Sequence, residues 1–165
     1  GGGKKMIADY EAEGRDDLLD APRQYGITQN HKHLKEMAAI TGLNNKPIFC
    51  PIVGDFYSGM EVTVPLFKED LTEGHTMEDV KNAYRDKYTG KLIKYVESDD
   101  KNGFYSSADM SGFDNMRVSV DGNEDRMILV ARYDNLGKGA SGAAIECINY
   151  KLGKDITEGL DIKEC

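Results

Sequence analysis

Two histidines and a carboxylate follow one another closely in the stretch YGITQNHKHLKE, where His33 comes two residues after His31 and Glu36 three residues later. An imidazole titrates near neutral pH, so either ring can accept or donate a proton under physiological conditions. Two imidazoles and a carboxylate are also a metal-ligand set, although no other His or Cys has ligand-like spacing. The spacing leaves three interpretations open: a general acid/base, a metal site, or two partly exposed side chains at a helix start.

A second stretch, YDNLGKGASGAA, covers residues 133–144 and places Gly137, Gly139 and Gly142 around Lys138. It stands between a predicted strand and a predicted helix. The first turn of a helix offers unpaired backbone N–H groups and the positive end of the helix dipole, and glycines let a ligand approach that backbone closely. The small residues of this stretch are equally typical of tight packing between a helix and a sheet. Both interpretations stay open at this point.

These stretches need a scaffold, and the hydrophobic periodicity predicts one in which strands outnumber helices. Several predicted strands are adjacent in sequence, which indicates an α+β fold with a mostly antiparallel, mixed sheet covered by helices. Two prolines limit the apolar run 46–56 to an edge or irregular strand. Helices are predicted over residues 4–13, 33–43, 137–152 and within 74–90; strands are predicted over 23–28, 46–56, 59–68 and 91–97, and a hairpin over 115–134.

Local signals fix some boundaries and buried faces. Thr76 and Asp79 have the spacing of a capping box, and Gly42 is typical of a residue that ends a helix. Three apolar sets are predicted to face the core: Leu34, Met37, Ala38 and Ile40 on one helix; Val80, Ala83, Tyr84 and Tyr88 on another; and Met60, Val62 and Val64 on the strand 59–68.

The composition indicates one globular domain of 165 residues, with 39% hydrophobic and 30% charged residues. A formal net charge of -8 argues against a nucleic-acid surface, which needs clustered Lys and Arg. No apolar run is long enough to span a bilayer, and the N-terminus GGGKKMIADYEAEG lacks the apolar core of a signal peptide. We therefore predict a cytoplasmic protein with neither a nucleic-acid nor a membrane partner.

The three cysteines, Cys50, Cys147 and Cys165, are scattered and form no CxxC pair. This pattern is typical of free thiols in a reducing compartment. Cys50 and Cys147 lie in apolar surroundings and are predicted to be buried and inert. The chain also contains no βαβ unit with GxGxxG, so we predict that it carries no Rossmann domain.

Three motifs, in order along the chain, resemble one family. The stretches GGGKKM, YGITQNHKHLKEM and ARYDNLGKGASGAAIECIN are similar to the glycine-rich substrate loop, the His-x-His-x-x-Glu signature and the Asp-Asn-Leu-x-Lys-Gly-Ala-x-Gly helix start of N-acetyl-gamma-glutamyl-phosphate reductase. The resemblance extends from residue 1 to about residue 152. It implies that residues 1–165 are a single catalytic and dimerisation domain, with a fold similar to the second domain of glyceraldehyde-3-phosphate dehydrogenase.

The resemblance also implies a reaction. Enzymes of this family use NADPH to reduce N-acetylglutamyl 5-phosphate to N-acetylglutamate 5-semialdehyde, with release of phosphate, in arginine biosynthesis. The family's nucleophilic cysteine and its Rossmann domain lie upstream of the glycine-rich loop, so neither is expected in this chain, and the isolated chain is expected to be inactive. A homo-oligomer, dimer or tetramer, is expected. The alternative that stays open is a non-catalytic dimerisation module.

Individual residues take their expected roles from the same resemblance. His31, the first histidine of the signature, is expected to be the catalytic acid/base. The alternative that His33 is the acid/base stays open. Asn135 is expected to face the nicotinamide carboxamide, and no metal ligand is expected. The remaining residues are expected to bind ligands: Tyr25, His33, Gly1 and Gly2 the substrate, and Lys138 and Gly139 the cofactor or the leaving phosphate.

Overall fold

The computed structural model describes residues 3–97 and 100–164. Its contacts divide the chain into two units, which we call the N-terminal unit, Gly1–Tyr57, and the C-terminal unit, Ser58–Cys165. None of the described helices is both long and apolar enough to cross a membrane. Each unit holds one of the two stretches that the sequence singles out.

The N-terminal unit consists of short elements. Helix α1 covers Gly3–Glu11, strand β1 covers Arg23–Gln24, helix α2 covers His33–Thr41 and strand β2 covers Ile52–Val53. β1 and β2 pair in antiparallel fashion, with Arg23 opposite Val53. Helix α2 ends where the sequence predicts, because Gly42 adopts a left-handed conformation (φ 71°) and its N–H closes the last turn on Ala38.

The core of the N-terminal unit is small. Its buried apolar side chains are Leu19, Leu34 and Val53. Ile40 was expected on the buried side of α2, but its side chain is 85% exposed. The predicted strands 23–28 and 46–56 shrink to two residues each, and Pro51, which has no N–H to donate, stands directly before β2.

The C-terminal unit is built on a four-stranded sheet of order β3-β6-β5-β4. Antiparallel pairing joins β3 to β6 and β6 to β5, whereas β4 and β5 are parallel, so the predicted α+β class with a mostly antiparallel mixed sheet is confirmed. The elements are β3 Met60–Phe67, α3 Met77–Lys87, β4 Ile93–Tyr95, β5 Met116–Gly122, β6 Arg126–Tyr133 and α4 Gly142–Leu152.

Helix α3 covers one face of this sheet. The predicted capping box is confirmed, since the Thr76 side chain accepts from the Asp79 N–H and the Asp79 carboxylate accepts from the Thr76 N–H. Partly buried side chains of and beside α3 pack on the buried residues of β4 and β5: Met77, Val80, Tyr84 and Tyr88 contact the cluster of Tyr95, Val118 and Val120. Ala83, expected in this stripe, is exposed.

Two other burial predictions are wrong. Cys50 and Cys147 are exposed free thiols, although their sequence neighbours are apolar. Strand β3 does alternate as predicted, but Met60, Val62 and Val64 on one of its faces are 38%, 39% and 46% exposed. Among the described residues β3 pairs with β6 alone at one edge of the sheet, whereas helix α3 packs on β4 and β5 at the other edge and leaves this part of the face uncovered.

Candidate functional site

The first candidate site is a cluster of aromatic and imidazole rings in the N-terminal unit. His31 lies before α2, and His33 is the first residue of that helix. The two imidazole centroids are 4.6 Å apart and the ring planes are inclined by 68°. The His31 centroid lies 5.0 Å from that of Phe49 and 6.0 Å from that of Tyr25. The structure therefore brings the predicted residues Tyr25, His31 and His33 together, with Phe49 as a member that sequence reasoning missed.

A hydrogen bond orients the His31 ring. The backbone N–H of His33 donates to Nδ1 of His31 at 3.3 Å. A neutral imidazole that accepts at Nδ1 carries its proton on Nε2. His31 is half-buried, whereas His33 and Tyr25 are exposed. Of the two imidazoles, His31 thus has the more restricted environment and a defined proton-bearing atom.

The loop that carries His31 is pinned by Gln29. Its side-chain amide accepts from the Phe49 N–H at 2.9 Å and donates to the Phe49 carbonyl at 2.8 Å. Gln29 itself has a positive φ of 56°, which a non-glycine residue adopts only at some cost in free energy. Gly26 contributes by its lack of a side chain, since a Cβ there would lie 3.3 Å from the Pro51 ring. These contacts hold Phe49 next to the loop that carries His31.

The metal interpretation of the sequence rests on His31, His33 and Glu36. Within residues 3–97 and 100–164, no group of three or more His, Cys, Asp or Glu side chains is arranged to hold a metal ion. Glu36, the third member of the hypothetical ligand set, is exposed on α2. The geometry therefore favours the acid/base interpretation of His31 over the metal interpretation.

The second candidate site lies directly after the end of β6 in the C-terminal unit. The side-chain oxygen Oδ1 of Asn135 accepts from the backbone N–H of Gly59 at 2.9 Å. This bond orients the amide, so the NH₂ group is directed away from Gly59. No side chain or backbone group in the described part of the chain accepts from that NH₂, and Asn135 is half-buried. The structure thus presents an oriented donor at Asn135 that no described protein group engages.

The neighbouring Asp134 is buried, with 3% of its surface exposed. Its carboxylate accepts four hydrogen bonds, two on each oxygen. Burial opposes ionisation of this carboxyl, but the hydrogen bonds outweigh burial and hold the pKa of Asp134 below its ordinary value. The donors are the Gly112 N–H (2.6 Å), the Ser58 hydroxyl (2.7 Å), the Leu136 N–H (2.7 Å) and the Gly137 N–H (3.1 Å).

The glycine-rich stretch forms a π-helical turn, Gly137–Ser141, that leads into α4. The N–H groups of Leu136, just before this turn, and of Gly137, its first residue, donate to the Asp134 carboxylate, and the Gly139 N–H donates to the Asp134 carbonyl at 2.9 Å. Lys138 pairs with Glu146, and 11% of the Lys138 side chain is exposed. The donors and the cation that were expected to attract an anion are largely engaged within the chain. The roles of Lys138 and Gly139 toward a cofactor or phosphate stay predictions.

Close packing explains two of the glycines. A Cβ at Gly137 would lie 2.6 Å from the Phe113 carbonyl oxygen, and a Cβ at Gly142 would lie 2.4 Å from Oδ1 of Asp114. Both distances are too short for a carbon atom. The packing interpretation that the sequence left open therefore accounts for these two positions. Gly1 and Gly2, the predicted substrate-loop residues, lie outside the described residues.

The family match and the fold define the class of protein. The chain belongs to the family described as semialdehyde dehydrogenase, dimerisation domain, which it matches over residues 1–135. A solved structure of aspartate semialdehyde dehydrogenase II from Vibrio cholerae shares the fold, with a TM-score of 0.55 and 17% identity over 90% of this chain and 47% of that one.

Two curated relatives have a higher sequence identity to this chain than that solved structure has. The chain is 42% identical over 158 residues to N-acetyl-gamma-glutamyl-phosphate reductase of Rhizobium meliloti (strain 1021), and 40% identical over 160 residues to the protein of the same name from Brucella ovis. These matches cover 92% and 93% of this chain. The chain spans about half the length of the curated relatives, 51% and 52%. The resemblance read from the three motifs is thereby confirmed.

Proposed function

We propose that this chain is the catalytic and dimerisation domain of a cytoplasmic, NADP-dependent reductase that converts N-acetylglutamyl 5-phosphate to N-acetylglutamate 5-semialdehyde and phosphate in arginine biosynthesis. The observation that carries the proposal is the 40–42% identity to reductases of that name over 92% of the chain. The Rossmann domain and the nucleophilic cysteine are proposed to come from the part of the enzyme that this chain does not match.

The residues of the N-terminal unit suit proton transfer in this reaction. Reduction of an acyl carbon to an aldehyde places negative charge on the carbonyl oxygen, and a positioned imidazole stabilises such charge by donating a proton. His31 carries its proton on Nε2 when Nδ1 accepts from the His33 N–H. We assign His31 as the acid/base, and Tyr25 and His33 as residues that line the acyl-substrate site.

Asn135 suits the recognition of a nicotinamide. NADPH supplies the hydride when it is bound, and its carboxamide oxygen is a hydrogen-bond acceptor. The Asn135 NH₂ group is a half-buried donor whose orientation is set by Gly59. An oriented amide that donates to the carboxamide fixes which face of the ring meets the substrate. Lys138 and Gly139 are retained in the proposal as residues close to the cofactor or the leaving phosphate.

An assay of an assembled enzyme tests this proposal. The chain is joined to the unmatched half of the Rhizobium meliloti relative, and NADPH formation is followed with N-acetylglutamate semialdehyde, phosphate and NADP⁺. We expect NADPH formation that requires phosphate, and slower NADH formation when NAD⁺ replaces NADP⁺, whereas the chain alone is inactive. A folded fusion that binds NADP⁺ but forms no NADPH would contradict the assignment.

Dimerisation is proposed as the second function of the same chain. The exposed face of β3 formed by Met60, Val62 and Val64, which we call the β3 face, is an apolar strip on an edge strand. Exposed apolar strips of this kind are typical of interfaces. Pro65 lies within β3 and has no N–H, which disfavours extension of the sheet by edge pairing. We therefore propose that a second copy of the chain packs on the β3 face, in keeping with the family's description as a dimerisation domain.

Replacing Val64 with aspartate is expected to weaken this dimer by at least about 100-fold, because the interface loses an apolar contact and buries a charge. Thr63→Asp is the matched control, since residue 63 is exposed and points to the opposite face of the same strand. Sedimentation velocity over a range of concentrations measures both variants. Equal weakening by the two substitutions, or a monomeric parent chain, would be evidence against the proposed surface.

A further inference from the structure

Asp134 is a buried carboxylate that the proposed reaction does not use. Its four donors come from three segments that are distant in sequence: Ser58 before β3, Gly112 in the loop before β5, and Leu136 with Gly137 at the start of the π-helical turn. A carboxylate is an acceptor-only group with room for about four hydrogen bonds, so it suits a point where four donors converge. Asp134 is therefore a junction of three loops in the C-terminal unit.

Two of the segments bonded to Asp134 are also next to Asn135, one along the chain and one through a hydrogen bond. Leu136, the residue after Asn135, donates its N–H to Oδ1 of Asp134. Ser58 donates its hydroxyl to Oδ2 of Asp134, and the next residue, Gly59, donates its N–H to the Asn135 side chain. The Asp134 carboxylate thus holds the residue that follows Asn135, Leu136, through its N–H. It also holds Ser58, the residue before Gly59, whose N–H binds the Asn135 side chain.

We propose that Asp134 is a positioning residue, which holds the Gly59 N–H in place so that the Asn135 NH₂ remains the group offered to a nicotinamide carboxamide. The inference rests on the proposed function for the identity of that ligand. Without the Gly59 donor, the amide of Asn135 is free to rotate and to present its oxygen, an acceptor that cannot bond to the carboxamide oxygen.

The surroundings of the junction leave few alternatives for this segment. Gly59 has a φ of 118°, and a Cβ there would lie 2.2 Å from the Ser107 carbonyl oxygen. Ser58 has 5% of its surface exposed, and its hydroxyl also lies 2.6 Å from the Ser111 hydroxyl. Because the Ser58 hydrogen is directed to Asp134, Ser111 is the donor in that contact. The chain from Ser111 through Ser58 to Asp134 therefore fixes the direction of the Gly59 N–H.

Hydrogen exchange in the chain alone, without the fused half, tests the positioning role in the absence of any ligand. In Asp134→Asn, an NH₂ group replaces one acceptor and meets donors, so we expect the Gly59 N–H to exchange roughly tenfold faster than in the parent chain. The N–H of Val130, in the central strand β6, reports global opening. The proposal requires that the change at Gly59 exceed the change at Val130; equal changes at the two amides would overturn it.

A matched variant separates positioning from stability. Asp109 is also a largely buried carboxylate of the C-terminal unit, bonded to Lys163 and Arg132, and it makes no bond to Ser58 or Asn135. In Asp109→Asn the Gly59 and Val130 amides are expected to change by the same factor. Ser58→Ala removes one donor to Asp134 together with the acceptor of Ser111, and it serves if Asp134→Asn does not fold. About fivefold faster exchange at Gly59 alone is expected. Unchanged exchange in Ser58→Ala would contradict the proposal.

A double-mutant cycle in the fusion enzyme then connects the junction to the cofactor. Asp134→Asn is expected to raise the KM for NADP⁺ about tenfold in the parent fusion, but to have little further effect when Asn135 is already alanine. Independent, multiplicative effects would overturn the role through Asn135. A parent fusion with no reductase activity would count against the proposed function alone, because exchange at Gly59 still decides whether Asp134 positions the amide.

Discussion

Replacing His31 with glutamine is expected to lower kcat of the assembled reductase by about 10²–10⁴-fold, the usual contribution of a general acid/base. Glutamine keeps a polar side chain of similar reach but cannot exchange a proton at neutral pH. The proton that His31 carries on Nε2 is then missing when charge develops on the substrate oxygen. Steady-state kinetics of the fusion enzyme, with N-acetylglutamate semialdehyde, phosphate and NADP⁺ as substrates, measure the effect.

His33→Gln is the matched control for this prediction. The two imidazoles lie 4.6 Å apart, so both substitutions disturb the same ring cluster, but His33 is exposed and half-buried His31 is the ring held through Nδ1. We expect His33→Gln to change KM for the acyl substrate by less than about tenfold and to leave most of kcat. A larger loss of kcat in His33→Gln than in His31→Gln would exchange the two roles.

Replacing Gly59 with alanine is expected to lower the free energy of unfolding by about 3 kcal/mol or more. Gly59 has a φ of 118°, a conformation that strains any other residue. The new Cβ would also lie 2.2 Å from the Ser107 carbonyl oxygen and 2.9 Å from Cα of Ala108, so backbone must move. Urea unfolding of the purified chain measures the loss.

Gly74→Ala separates the collision from the backbone strain. Gly74 also has a positive φ, 85°, but no atom lies within 4 Å of a Cβ built there. Strain alone predicts a loss of about 1 kcal/mol at this position. If the two variants lose equal free energy of unfolding, the close approach at Gly59 is not what makes glycine necessary there.

The local elements of this chain were predictable because their signals are local. The Thr76–Asp79 capping box, the stop of α2 at Gly42 and the hairpin of β5 and β6 depend on residues a few positions apart. The grouping of Tyr25, His31 and His33 is of the same kind, since all three come from one short loop and helix start. The fold class followed from the order of such elements.

Burial was predicted less well, because it depends on what packs over a residue and not on the residue itself. Met60, Val62 and Val64 have the alternation of a half-buried strand, yet β3 lies at the sheet edge and leaves them exposed. Ile40, Cys50 and Cys147 are exposed for lack of a covering element within the described residues. Periodicity identifies the apolar side of an element, whereas the helices and loops packed on the sheet decide how much of that side is covered.

The amino-acid order alone determined the fold class, the capping box of α3, the stop of α2 at Gly42 and the family resemblance. Only the tertiary structure decided that Gly59 supplies the partner of Asn135 and that Asp134 gathers donors from three loops. Ser58 and Asp134 are 76 residues apart in sequence, and no periodic pattern links positions at that separation. Such contacts arise only when β3 and β6 pair, because the register Met60–Tyr133 brings the residues beside them within hydrogen-bond distance.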